Sequence, residues 1–374
     1  MQFNLTAPCL FGLEGTISNE LKRLEMKNVL AENGRVNFSG SAEDIAKANL
    51  SLRCAERVMI KCGEFRAATF DELFDGVQSI DWASYLPRDA AFPVKGSSIG
   101  SALTSIPACQ SIIKKAIVAS MTSAYKTDWF KESGETYQIR FSIMKDVAAI
   151  YLDTSGPGLH KRGYRPRSNA APLRETLAAG MVIMSRYRGR DDFYDPFCGS
   201  GTIPIEAALI AKNRAPGLNR SFASERWHFA PPQLWKRARE EAVSREYSGD
   251  YRIFGSDIDP ECAALSESCA KSAGVSDCVR FETADAGKLV LPGSGSGCVI
   301  VTNPPYGERM LEKRAAEGIY RGFGAVMSAY PDASLYLLSS NPEFERLFGR
   351  FSEKKRKLYN GMIKCELFIF FRKG

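Results

Sequence analysis

Residues 192–212 read DFYDPFCGSGTIPIEAALIAK, and the order of residue types in this stretch decides the fold. A short apolar strand, 192–195, runs into a turn with glycines at 199 and 201, and the turn opens a helix over 203–212. Thr202 is placed to cap that helix, and Pro204 is tolerated in its first turn. Gly199 and Gly201 let the backbone approach a ligand closely. A parallel α/β sheet holds a nucleotide-like cofactor in this way, at the carboxyl end of its first strand. Pro204 stands where a dinucleotide fingerprint has its third glycine, and the lysine of a phosphate-binding loop is missing, which disfavours NAD and ATP. Taken alone, such a turn is also compatible with a plain loop.

Downstream, candidate strands at 251–256, 279–282, 298–302 and 334–339 alternate with helical segments, the pattern of a parallel sheet covered by helices. Asp257, in FGSDID (254–259), stands where an acid accepts from ribose hydroxyls; Asp257 or Asp259 can equally cap a helix. Asp285, in TADA (283–286), is placed to accept from an adenine amino group. The strand CVIVT (298–302) delivers Asn303-Pro304-Pro305-Tyr306-Gly307. Two prolines stiffen this turn and leave carbonyls without local N–H partners. The Asn303 side-chain oxygen and the Pro304 carbonyl can both accept from one NH₂ group, and Tyr306 offers a ring on which a flipped base can stack. Four such motifs in this order, each after a strand, are hard to reconcile with plain loops. The chain ends in 354–359, Asn360-Gly361 and 362–371, which predicts a β-hairpin whose Asn-Gly pair supplies the two positive-φ residues of a type I′ turn. Asp195 and Asp257 are far apart for one βαβ unit; the excess, 213–248, reads as an insertion beside the site.

The N-terminal part is α+β. Ile17, Leu21 and Leu24 have helical spacing; 42–60 holds a helix and then a strand at 57–61. Residues 106–123 read as a helix, and 137–144 with 147–153 as paired strands in which Ile139, Phe141 and Ile143 alternate. The stretch 154–170, rich in Gly, Pro and basic residues, marks the boundary. The 374 residues suit two or three domains, and 155–374 is long enough for a core of its own.

Net charge is +7. The window 160–190 alone holds eight Lys/Arg against Glu175, and a second run, 350–357, holds Lys354, Lys355 and Arg356. Such clusters suit a phosphate backbone, or else a solvated face. Ten cysteines form no CxxC pair and there are two histidines, so no metal site is expected and the thiols read as free, in a reducing cytoplasm. No membrane span or signal peptide is expected. Cys198 lies in the cofactor turn rather than the base-holding turn, which argues against a nucleophilic role.

DPFCGSGT, FGSDID and NPPYG resemble the motifs of class I amino-methyltransferases. HKRGYRPRSNAAPLRE (160–175) and KLYNG (357–361), with the softer FGLEG (11–15) and RCAERVMIKCGEF (53–65), resemble a narrower family: the THUMP-domain RNA methyltransferases related to the bacterial large-subunit rRNA guanine-N2 methyltransferase. The resemblance implies a ferredoxin-like segment over 1–45, a THUMP RNA-binding domain over 46–154, a linker over 155–170 and a Rossmann-like methyltransferase domain over 171–374. It implies a seven-stranded catalytic sheet with its last strand antiparallel. Residue by residue, it implies that Asp195, Gly199 and Gly201 line the methionine part of S-adenosylmethionine, in a wall shared by Phe197 and Thr202. Asp257 holds the ribose, Ile258 lies on the adenine, and Asp285, beside Ala286, takes the adenine amino group. Asn303, Pro304 and Tyr306 hold the target base, with Asn303 also bordering the cofactor. Lys161, Arg162, Arg165 and Arg167 face RNA, and Tyr164 lies near cofactor or RNA. The expected substrate is a structured RNA, with rRNA ahead of tRNA. Adenine-N6 methylation of DNA or RNA, a protein amide target, and a non-catalytic RNA-binding role are the competing readings.

Overall fold

The structure, a computed structural model, describes residues 2–127, 129–165, 173–292, 295–306 and 310–372. The chain builds two seven-stranded sheets. The first comprises β1 (Phe3–Pro8), β2 (Lys27–Glu32), β3 (Arg35–Gly40), β4 (Met59–Arg66), β5 (Val94–Ile99), β6 (Ile139–Met144) and β7 (Val147–Asp153), in the order β2-β3-β1-β4-β7-β6-β5. Ile139, Phe141 and Ile143 are buried on one face of β6, as their alternation requires. The two edge strands, β2 and β5, escape a periodicity reading because KNVLAE and VKGSSI bury no residue fully. Pairing of β4 with β7 makes one continuous sheet of everything up to Asp153.

The second sheet comprises β8 (Asp192–Asp195), β9 (Ile253–Asp257), β10 (Val279–Thr283), β11 (Cys298–Thr302), β12 (Ser334–Ser339), β13 (Lys354–Asn360) and β14 (Ile363–Phe370), in the order β10-β9-β8-β11-β12-β14-β13. The first five are parallel, and β14 enters antiparallel between β12 and β13. All five strands read from sequence in this half are present. The order reverses at β8, between β9 and β11, so a crevice opens outside the carboxyl ends of these three strands.

The hairpin is where it was expected, but its turn is shifted by one residue. Asn360 pairs with Ile363, leaving Gly361 and Met362 as the loop. Gly361 has φ 63° and neither Asn360 nor Met362 is left-handed, so the turn uses glycine at its first central position rather than an Asn-Gly type I′ pair.

Segment 213–248 does not flank the crevice, contrary to expectation. It braces the two halves. The Trp227 indole stacks on Tyr137 at 4.6 Å, the Ser224 N–H and hydroxyl both donate to the Thr154 carbonyl, and helix Pro232–Ser244 packs on helix Ala42–Ser51. One hydrophobic cluster runs through both sheets, from Leu5 and Ile17 to Phe193 and Leu367.

Candidate active site

The crevice is a cavity of about 1120 Å³. Its floor is the turn after β8. Asp195, at the end of that strand, is 1% exposed. Its Oδ1 accepts from the Thr302 hydroxyl at 2.6 Å and from the Phe197 N–H at 3.2 Å. Asp195 lines the cavity, and its Oδ2 is buried and has no partner among the described residues. Burial, with Asp257 adding to it against those two donors, lifts its pKa to about 7.

The turn that follows divides its glycines between two tasks. Gly199 has φ 54°, and a Cβ there would meet nothing within 4 Å, so it faces the cavity. Gly201 has φ 74° and a Cβ there would come within 2.9 Å of Phe281 and Ser266. The structure therefore sets Gly201 against β10 and helix Pro260–Ala273 rather than in the cavity wall. Gly201, not Thr202, occupies the cap position of helix Thr202–Ala211. Thr202 is the first helical residue, and its hydroxyl accepts from Arg165. Phe197 lines the cavity and rests edge-on against Phe323. Cys198 is buried, its thiol is pushed up by that burial, and it packs beside the Ser266 hydroxyl.

From β9, Asp257 braces the floor: its Oδ2 accepts from the Gly199 N–H at 2.9 Å and its Oδ1 from the Asp259 N–H at 3.1 Å. Asp259 caps the next helix through the Glu261 N–H, so the capping role weighed for this acid pair falls to Asp259. Ile258 is 72% exposed at the cavity lip. After β10, the Asp285 Oδ1 accepts from the Gly287 N–H, and Ala286 is buried in the wall.

After β11, Asn303, Pro304, Pro305 and Tyr306 line the same cavity. The Tyr306 hydroxyl donates to Asn303 Oδ1, and the Tyr320 hydroxyl holds the Pro305 carbonyl at 2.9 Å. Burial, reinforced by Cys365, keeps the Tyr306 phenol protonated.

The basic linker contradicts a uniform RNA-facing role. Arg162 is 3% exposed; its guanidinium pairs with buried Glu206 at 3.3 Å and donates to the Leu159 and Arg53 carbonyls. It is an internal strut between the halves. Tyr164 is buried and donates to the same carboxylate. Arg165 is mostly buried between Glu175 and Thr202. Lys161 is exposed, and Arg167 lies outside the described residues.

The site also takes residues that the motif reading passed over. Asn360, Gly361 and Ile363 reach it from the hairpin, and Gly318 and Gly322 from helix Met310–Ser328. Their signal was available: two glycines four apart in a helix cost stability unless something needs the space, and a Cβ at either would meet nothing within 4 Å.

A family model described as an RMKL-like methyltransferase domain matches residues 162–369; an RlmL ferredoxin-like domain matches 4–59 and a THUMP domain 67–153. The protein YpsC of Bacillus subtilis (strain 168), provisionally named an RNA methyltransferase, is 43% identical over 375 residues, covering 100% of this chain and 97% of its own. A Listeria monocytogenes (str. 4b F2365) crystal structure, described as that of a predicted N6-adenine-specific DNA methylase, matches with TM-score 0.95 at 42% identity, covering 100% of this chain and 97% of the other. SMU.472, provisionally named a methyltransferase and crystallised with SAH (S-adenosylhomocysteine), matches with TM-score 0.94 at 39% identity, covering 100% and 99%.

Proposed function

Because the chain belongs to the RMKL-like methyltransferase family, we propose that it methylates the exocyclic N2 amine of a guanine in RNA, with large-subunit rRNA ahead of tRNA. Its cofactor is S-adenosylmethionine, which supplies a methyl group on a positively charged sulfur. The observation that carries the reading is that one cavity is lined both by Asp195, Gly199 and Asp257 and by Asn303, Pro304 and Tyr306. The name given to the Bacillus subtilis relative and the THUMP match support RNA as substrate.

The cofactor side fits. An unpartnered buried carboxylate oxygen on Asp195 suits an ammonium group. The open space over Gly199 suits close approach of a ligand to backbone. Asp257, anchored by two backbone N–H groups, keeps lone pairs for ribose hydroxyls. Ile258 offers an apolar surface to a purine, and Asp285 a carboxylate to its amino group.

An exocyclic amine is a weak nucleophile because its lone pair is delocalised into the ring. Asn303 Oδ1 and the Pro304 carbonyl accept its two N–H bonds, orient it and localise the lone pair. Positioning then supplies most of the catalysis. In the free enzyme Asn303 Oδ1 is already engaged by Tyr306. That oxygen has a second lone pair, so it can accept from the base amine while Tyr306 still holds it in place.

The test is transfer of labelled methyl to RNA from cells lacking the protein, followed by nucleoside analysis. Label in N2-methylguanosine of rRNA is the expected result. Label in N6-methyladenosine of the RNA moves the target to adenine, and transfer only to the N6 amine of adenine in DNA, assayed in parallel, replaces the proposal with the activity named for the Listeria protein.

A further inference from the structure

The hairpin β13–β14 does more than close the sheet. Asn360, Gly361 and Ile363 line the cavity, whereas Met362, between them, does not. The Met362 side chain is 98% exposed, more than any other large apolar side chain among the described residues. It contributes nothing to the core, and the two-residue loop holds it just outside the mouth of the cavity.

The ladder behind this tip is cationic. Cross-strand partners share a face, as do residues two apart along a strand. Tyr359 pairs with Lys364 and Lys357 with Glu366, so these four stand on one face of the hairpin, opposite the face of Asn360 and Ile363, and the Met362 loop lies at its end. Lys357 lies 5.4 Å over the Tyr359 ring. Lys357 and Lys364 are exposed, and among the described residues neither joins an ion pair, whereas Lys355 is held by Glu345. Lys357, from the basic run read in the sequence, and Lys364, across the ladder from Tyr359, thus flank the approach to the tip.

We propose that the tip is a wedge for the RNA substrate: Met362 enters the base stack beside the target nucleotide as that base moves into the cavity, and Lys357 and Lys364 hold phosphates of the flanking strand. The inference rests on the function proposed above. A base that leaves its stack costs a few kcal/mol. An apolar side chain inserted at the vacated step offsets part of that cost, and methionine is among the residues used in this way. Its unbranched thioether adapts to an irregular gap. Ile258 is also exposed, but it lies on the cofactor side of the cavity wall.

The experiment compares the full-length wild type with Met362→Ala and Met362→Leu on refolded RNA from cells lacking the protein, alongside melting temperature and S-adenosylhomocysteine affinity. Met362→Ala should lower kcat/KM by about ten-fold or more, with melting temperature and cofactor affinity unchanged, and Met362→Leu should restore most of the rate. An alanine variant within about two-fold of wild type, a leucine variant as poor as alanine, or a parallel loss of cofactor affinity overturns the wedge alone. A wild type that methylates no RNA overturns the proposed function and the wedge with it.

Discussion

Asp195 is a carboxylate whose surroundings resist its charge, and this gives it a measurable pH signature. Its pKa is about 7 in the folded protein, against roughly 3.9 in an unfolded chain. Between those values the folded state keeps a proton that the unfolded state has lost, so this group's contribution to stability falls as pH rises through the interval. A bound ammonium reverses the preference, because it favours the carboxylate. Cofactor affinity should therefore climb as pH rises toward about 7, with a proton released on binding below that point. Calorimetry of S-adenosylhomocysteine in two buffers of different ionisation enthalpy reads both quantities. Affinity that stays flat over this range would remove the ammonium contact from Asp195. Asn303 makes a complementary prediction. Asn303→Ala should slow single-turnover methylation by about 10²–10³ while leaving cofactor affinity nearly unchanged; a rate near wild type takes Asn303 out of the chemistry. Both residues were legible in the sequence because each ends a strand at the crevice. Arg162 was not: a buried, paired arginine and an RNA-facing one are the same letter in a basic run, and only Glu206, 44 residues on, tells them apart.

The turn between β8 and its helix shows the same ambiguity one level up. Sequence predicts two glycines for close approach to a ligand, and the structure gives only one of them to the cavity. Gly199→Ala should fold, losing about 1 kcal/mol to its left-handed backbone, and should lose cofactor affinity because its Cβ enters the cavity. Gly201→Ala adds a collision with Phe281 and Ser266 to the same backbone strain, so its loss should be larger, about 2–4 kcal/mol. Thermal melts and cofactor titrations of both variants check the split; equal stability losses would contradict it. The buried strands of the catalytic sheet were legible because they are short apolar runs. Edge strands β2 and β5, with one flank open to water, carry too little apolar alternation to announce themselves. Segment 213–248 was legible as surplus length but not as a brace, because its partners Tyr137 and Thr154 lie in the other half of the chain.

At the scale of the molecule, the two halves are less separable than their composition suggests. The sequence allows 155–374 a core of its own, but the structure makes that core communal. Leu13 is fully buried against Gly180, where a Cβ would come within 2.6 Å of it. Arg162 and Glu206 lie in the interface beside Arg53. Removing residues 1–154 would uncover this apolar surface and take from Arg162 the Arg53 carbonyl that accepts from it, which costs about 1–3 kcal/mol for that group alone. The fragment 155–374 should therefore aggregate, or melt well below the full chain. A fragment that melts with the full chain would show that the interface is dispensable. The shared core also sets an order of events at the ribosome. The first sheet is complete once Asp153 has emerged, and N-terminal units generally fold first during synthesis. The surfaces of Leu13 and of helix Ala42–Ser51, however, wait for Gly180 and helix Pro232–Ser244 to be translated. Throughout that interval the nascent chain presents a finished sheet with an uncovered apolar flank, a natural landing place for a chaperone until the catalytic half arrives.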